Sequence, residues 1–149
     1  MRAIVTRVNG ARVTVTGSGE LLGKCSRGFL VLLGVHTDDT AAEADRIADK
    51  ICGLRVFEDE NGKMNVSPGD AGAEMLIVSQ FTLWADCHSR RPGFTRAARP
   101  DTAIPLYERV IEQCRSRGFH VETGRFGEDM QVESVNDGPV TIFLDTKEL

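Results

Sequence analysis

The sequence predicts an α+β domain in which a curled, barrel-like and mostly antiparallel β-sheet carries two main helices on its outside. Three observations predict it. Strand-like runs, alternating or wholly apolar, recur from Arg2 to Asp145. Only two segments space their apolar residues as a helix would, and these lie far apart in the chain. No repeat, linker or low-complexity tract divides the 149 residues, so residues 1–149 read as one domain, able to bury roughly 70% of its unfolded surface.

Taken in order, residues 2–8 and 11–16 read as two strands of a hairpin around Asn9-Gly10, the strongest short turn signal. Residues 21–25 and 28–35 continue the sheet. The run Phe29-Leu30-Val31-Leu32-Leu33 is apolar on both faces and therefore central. Thr40-Ala41-Ala42-Glu43 matches a capping box, and Ala44, Ile47, Ala48, Ile51 and Cys52 follow at helical spacing until Gly53. Residues 55–57 and 64–66 flank a turn-rich segment as short strands. Residues 74–83 form the next strand, with the buried run Met75-Leu76-Ile77-Val78. Residues 84–100 lack periodicity and read as a long loop. A second helix spans 102–117, with Pro105 in its first turn and Leu106, Val110, Ile111 and Cys114 on its buried face. Strands at 120–122, 131–135 and 140–145 complete the sheet, the last two joined by a tight Asn136-Asp137-Gly138-Pro139 turn.

Composition narrows the function classes. With 41% hydrophobic and 27% charged residues the chain is ordinary for a globular protein. A formal charge of -4 argues against a broad non-specific nucleic-acid coat but leaves room for a local basic patch. The strand-like alternation begins at Arg2 with no leader pattern, and no apolar run reaches the roughly 20 residues of a membrane helix, so the expected compartment is the cytoplasm. Cys25, Cys52, Cys87 and Cys114 never form C-x-x-C, and with three scattered histidines no zinc spacing exists. The cysteines read as reduced and structural.

The residues that could carry chemistry are few. Ser79 lacks the G-x-S-x-G elbow, and no Asp/His pair is placed by sequence to activate it. Thr82 is open to two readings, a nucleophile or a strand-end threonine. A third route uses the main chain: a strand ending beside a cleft leaves N–H groups unpaired, and the Phe81 and Thr82 amides could then hold a developing oxyanion. Gly138-Pro139 reads either as a turn punctuator or as a cis peptide. Arg90, Arg91, Arg96 and Arg99 occupy a short span that has no acidic residue and suit phosphate contact. Phe94 is a loop anchor or a base-stacking surface. Phe126 and Met130 are more ordinary as core. Arg7 is a charge in a half-buried strand and needs a partner that the sequence alone does not name.

With these residues in view, the chain resembles the bacterial-type D-aminoacyl-tRNA deacylases from end to end. The resemblance rests on Ser79-Gln80-Phe81-Thr82-Leu83 and Asn136-Asp137-Gly138-Pro139-Val140-Thr141. It extends to Arg2–Val8, Phe57-Glu58-Asp59-Glu60, Gly62-Lys63-Met64-Asn65, Arg90-Arg91-Pro92, Glu122-Thr123-Gly124-Arg125-Phe126-Gly127 and Asp129-Met130-Gln131-Val132. It implies hydrolysis of the ester joining a D-amino acid to the terminal adenosine of tRNA, by a homodimer with active sites at the subunit interface. Glycyl-tRNA is implied as a further substrate, and no metal or organic cofactor. Gln80, Phe81 and Thr82 would be catalytic, with the Phe81 amide polarising the ester carbonyl and the substrate 2′-hydroxyl helping to activate water. Ser79, Phe126, Met130, Asn136, Gly138 and Pro139 would bind substrate, with Phe126 and Met130 bordering the adenosine. Gly138-Pro139 would be cis and enter the partner's pocket, where its carbonyl oxygens exclude L side chains. Arg7 would brace that loop, and Arg90, Arg91, Arg96 and Arg99 would meet the acceptor end. A sister group that edits L-alanine on threonine tRNA carries Pro-Gln-Ala-Thr-Leu where this chain has Ser79-Gln80-Phe81-Thr82-Leu83, which favours the D-specific group. The alternative is a non-catalytic dimeric module that binds nucleic acid through residues 90–99, which leaves the Ser79–Leu83 and Asn136–Thr141 stretches unexplained.

Overall fold

The computed structural model describes residues 1–149. Its elements are β1 (Arg2–Val15), β2 (Leu21–Cys25), β3 (Gly28–Gly34), α1 (Ala41–Gly53), β4 (Phe57–Glu58), β5 (Met64–Val66), β6 (Glu74–Ser79), α2 (Pro100–Ser116), β7 (Val121–Thr123) and β8 (Met130–Asp145). Two 3₁₀ turns, Phe81–Trp84 and Thr146–Glu148, follow β6 and β8. The main sheet runs β2-β1-β3-β6-β7, with β8 on the other edge of β1. Pairs involving β1 are antiparallel, whereas β3–β6 and β6–β7 are parallel. The two ends of the path curl together. Lys24 donates its N–H to Glu122 Oε1 at 3.0 Å, and a Cβ on Gly23 would lie 2.5 Å from the Thr123 carbonyl oxygen. Glycine is therefore required at 23 for the barrel to close.

β3 is buried on both faces, as its sequence implies. Phe29, Val31 and Leu33 join Met75 and Ile77 beneath the helices, while Leu30 joins Leu76 and Val78 in the second cluster, inside the sheet's curl. Helix α1 begins with the expected capping box, Thr40 N–H donating to Glu43 Oε2 at 2.6 Å. It buries Ala44, Ile47, Ala48 and Ile51.

Four details depart from the sequence reading. No hairpin forms at Asn9-Gly10, because β1 is one continuous strand. Its first half pairs with β3, its second with β2, and β8 follows it throughout. Val8 and Ala11, three residues apart, enter the same cluster, so Asn9-Gly10 is a β-bulge that flips the side-chain alternation. The four-residue turn before the last strand is likewise absent. β8 is unbroken, and residues 137–140 bulge out opposite Arg7 alone, since Thr6 pairs with Thr141 and Val8 with Asn136. β6 ends at Ser79 rather than Leu83, and the chain tightens into the Phe81–Trp84 turn because Trp84 buries itself under β3 and donates Nε1–H to the Gly34 carbonyl at 3.1 Å. Finally, α2 starts at Pro100, which puts Pro105 inside the helix rather than in its first turn. Pro100 takes the N1 position that favours proline. Tyr107, unforeseen, is buried on this helix and donates its hydroxyl to the Ile77 carbonyl at 2.8 Å.

Candidate functional site

The parallel strand β6 delivers Ser79 to the end of the sheet, where Gln80 donates its backbone N–H to Leu33 O at 2.8 Å. The chain then turns at Phe81. As the first residues of a helical turn, Phe81 and Thr82 have amide N–H groups with no carbonyl behind them in the turn. Both side chains are exposed, and Gln80 Nε2 hydrogen-bonds the Thr82 hydroxyl. Phe81 meets Phe94 edge-on with ring centroids 5.1 Å apart. The turn is pinned from behind by Arg2, a residue the sequence did not single out. Its Nη1 donates to Leu83 O at 2.9 Å and its Nε to Asp145 Oδ2 at 3.0 Å, with the guanidinium 3.9 Å from the Trp84 ring centroid. A charged residue at a strand's start, on a chain with one tryptophan, was the only available signal.

Met130 lies beside the same strand, and Phe126 lies on the segment between β7 and β8. A Cβ on Gly124 would touch both Met130 Sδ (2.7 Å) and Val78 Cγ1 (3.6 Å), so Met130 lies close to Val78, the residue before Ser79. Phe126 is packed toward the core, its ring centroid 6.3 Å from that of Tyr107. It also lines a cavity of about 560 Å³ between α2 and residues 123–126. Burial pushes the Tyr107 hydroxyl up to about 12, so it stays neutral.

The third group is the bulge of β8. The Gly138–Pro139 peptide is cis, and Gly138 sits at φ +133°. Asn136 closes the neck of the bulge: its Oδ1 accepts from Val140 N–H at 2.9 Å and its Nδ2 donates to Thr141 Oγ1 at 3.0 Å. Arg7, 5% exposed, donates from Nε to the Asp137 carbonyl at 3.0 Å and from Nη1 to the Val56 carbonyl at 2.6 Å. The Asp137 carboxylate is 3.5 Å from Arg7 Nε, and Glu58 is 4.0 Å from Nη2. Gly138 and Pro139 themselves are exposed.

Met130 lies beside the end of β6, but the structure does not bring the β8 bulge to the Phe81–Trp84 turn within the chain. Leu33 of β3 pairs with both Ala3 and Ser79, whereas the bulge faces Arg7. Four residues of strand separate Ala3 from Arg7, a distance of about 13 Å. Arg90, Arg91, Arg96 and Arg99 are all exposed on the loop beyond the turn. Arg96 is tethered to the Ala85 carbonyl at 2.8 Å, and Arg99 occupies the N-cap of α2. No three His, Cys, Asp or Glu residues are grouped to hold a metal ion.

Comparison with known proteins decides the family. The family described as D-Tyr-tRNA(Tyr) deacylase matches residues 4–145. The chain belongs to that family. A D-aminoacyl-tRNA deacylase from Symbiobacterium thermophilum is 57% identical over 148 residues, covering 99% of this chain and 97% of that protein. Among solved structures, one described as a c-Myc DNA Unwinding Element Binding Protein superposes with a TM-score of 0.90 at 43% identity, covering 97% of this chain and 98% of that one. Another, described as a probable eukaryotic D-amino acid tRNA deacylase, superposes at 0.83 with 16% identity over 96% and 97% of the two chains; it supports the fold alone. The deacylase is thus an ester hydrolase acting on D-aminoacyl-tRNA, and the purely nucleic-acid-binding alternative is set aside. None of its helices is long and apolar enough to cross a membrane.

Proposed function

We propose that the deacylase works as a homodimer in which the Gly138–Pro139 bulge of one protomer completes the site floored by residues 79–82 of the other. The observation that carries this reading is the separation just described: the bulge projects, braced and exposed, about 13 Å along β1 from the turn it is expected to serve. The outer edge of β8 has no strand partner, and Val132, Val135 and Phe143 on β8 are exposed at 41%, 61% and 51%, which favours association through this side of the sheet.

In this reading the ester carbonyl lies against the Phe81 and Thr82 amides. Ser79, Gln80 and Thr82 form the pocket floor, and Phe126 and Met130 border the terminal adenosine. Water, activated with help from the ribose 2′-hydroxyl, adds to the carbonyl carbon. The negative charge gathers on the carbonyl oxygen and is held by the fixed amides. The C–O bond then breaks, returning the proton to the departing 3′-oxygen. The partner's Gly138 and Pro139 carbonyls face the substrate α-carbon, so an L side chain meets them while a D-amino acid turns its side chain outward. Glycine has no side chain to exclude, so glycyl-tRNA is a second substrate. Asn136 and Arg7 keep the excluding loop in place. Arg90, Arg91, Arg96 and Arg99 contact the acceptor-end phosphates, and the cytoplasm is where that substrate is met.

The test is hydrolysis of matched D-tyrosyl-, L-tyrosyl- and glycyl-tRNA by the purified protein, with and without EDTA, alongside its mass in solution. Loss of the D and glycyl esters by a dimer, with the L ester intact, supports the proposal. Cleavage of the L ester at a comparable rate, or full activity from a monomer, overturns it.

A further inference from the structure

The sulfurs of Cys52 and Cys114 lie 3.6 Å apart, although 62 residues separate them in sequence. Both thiols are free. Cys52 is in the last turn of α1 and Cys114 in the last turn of α2, so the contact bridges the two helices where they pack side by side. The two are unequal. Cys114 is fully buried, whereas Cys52 is partly open to solvent. Arg117, just beyond α2, reaches back over α1 to Asp49, Nη1 to Oδ1 at 3.0 Å. The hydrogen bond with Cys114, followed by the Arg117 charge, lowers the Cys52 thiol against the opposing effects of burial and Asp49. The same bond, then burial and then repulsion from Cys52, push Cys114 up.

We propose that Cys52 and Cys114 form an oxidative modification site that hydrogen peroxide converts into an intramolecular disulfide. The accessible Cys52 thiolate attacks one peroxide oxygen. The O–O bond breaks, Cys52 becomes a sulfenic acid, and the departing oxygen leaves as water after taking a proton from solvent. Cys114 then attacks the Cys52 sulfur, the S–O bond breaks, and a second water leaves with the Cys114 proton. The two sulfurs supply the two electrons that reduce the peroxide. Closing the pair from 3.6 Å to the roughly 2.05 Å of a disulfide asks each sulfur to move less than about 1 Å, a shift that two terminal helical turns can absorb.

The remaining thiols do not compete for this product. Burial, with the Glu74 charge second, pushes Cys25 up to about 11, and it is held inside the sheet. Cys87 is exposed but lies on the loop after the Phe81–Trp84 turn, with no cysteine beside it.

The experiment treats the purified, reduced protein with graded hydrogen peroxide, blocks remaining thiols with N-ethylmaleimide, and reads intact mass and non-reducing peptide maps. The expected result is a loss of two hydrogens, a peptide linking Cys52 to Cys114, and full reversal by dithiothreitol. Cys52→Ser should remove the linked species and Cys87→Ser should leave it. Over-oxidation of Cys52 without a linked peptide, or protection of both thiols while Cys87 alone reacts, overturns the proposal. The outcome is independent of deacylation and is read on the substrate-free protein.

Discussion

Arg7 holds Asp137 by the main chain: Nε donates to the Asp137 carbonyl at 3.0 Å, although the two are 130 positions apart. Because the guanidinium also serves the Val56 carbonyl, it ties the β8 bulge to the segment before β4. Replacing Arg7 with Ala leaves two carbonyls without their donor and costs about 2–4 kcal/mol of stability. Arg7→Lys keeps the charge but cannot fork to both carbonyls. The expected outcome for Arg7→Lys is a folded protein that hydrolyses L-tyrosyl-tRNA at least tenfold faster relative to the D ester than the parent does. Unchanged discrimination would mean that the bulge needs no brace.

Gly138 offers a second handle on the same loop. At φ +133° it occupies a region that L residues rarely adopt, and an added Cβ would fall 2.7 Å from Val140 Cγ2 and 3.0 Å from Val140 N. Gly138→Ala should therefore cost about 1–3 kcal/mol and move the loop. Thermal unfolding checks the first effect. A D-ester kcat/KM falling by more than tenfold, beyond what the unfolded fraction explains, checks the second.

These two residues also mark where sequence reading stops. The capping box at Thr40, the central strand Phe29–Leu33, and Val110, Ile111 and Cys114 on the buried face of α2 were legible because each depends on neighbours within a turn or a pleat. Asn9-Gly10 and residues 136–139 carry turn chemistry, but whether such residues reverse a chain or bulge it depends on which strands lie alongside. For β1 those partners range from Leu21, paired with Thr14, to Asp145, paired with Arg2. Arg7 announced only that it needed a partner. The 79–83 and 136–141 stretches stood out by resemblance and Arg2 only as the first residue of another, whereas Tyr107, which ties α2 to β6 through the Ile77 carbonyl, carried no local sign.

The Arg2–Asp145 pair should be visible in the pH dependence of folding. Burial by itself would raise the Asp145 carboxyl, but the Lys147 N–H and the Arg2 guanidinium hold it below its ordinary value. A carboxyl depressed in the folded state adds stability that is full above its unfolded value, near 3.9, and lost as pH falls through the folded one. Asp145→Asn should thus destabilise the deacylase by about 1–3 kcal/mol at pH 7. In denaturant titrations between pH 7 and pH 3 the gap between parent and variant should narrow only below about pH 4. A gap constant across that range would remove the ion pair from the stability of the Phe81–Trp84 turn.

Thr82 separates the two catalytic routes left open by its sequence. Its hydroxyl is exposed and bonded only to the Gln80 side chain, with no histidine or carboxylate against it, so nothing activates it as a nucleophile. Its amide, in contrast, is fixed by the turn regardless of the side chain. Thr82→Ala keeps that amide and removes the hydroxyl. If main-chain donors hold the oxyanion, the variant should retain D-tyrosyl-tRNA hydrolysis within about tenfold of the parent; loss of a whole oxyanion donor typically costs 10²–10³, roughly 3–4 kcal/mol. Single-turnover kinetics on the folded variant distinguish the cases. A residual rate below about a thousandth of the parent's, together with an acyl-enzyme trapped on the parent at Thr82, would make the threonine a nucleophile. A near-parental rate leaves the work to the Phe81 and Thr82 amides, because Ser79 and Gln80 contribute no group that titrates near neutral pH.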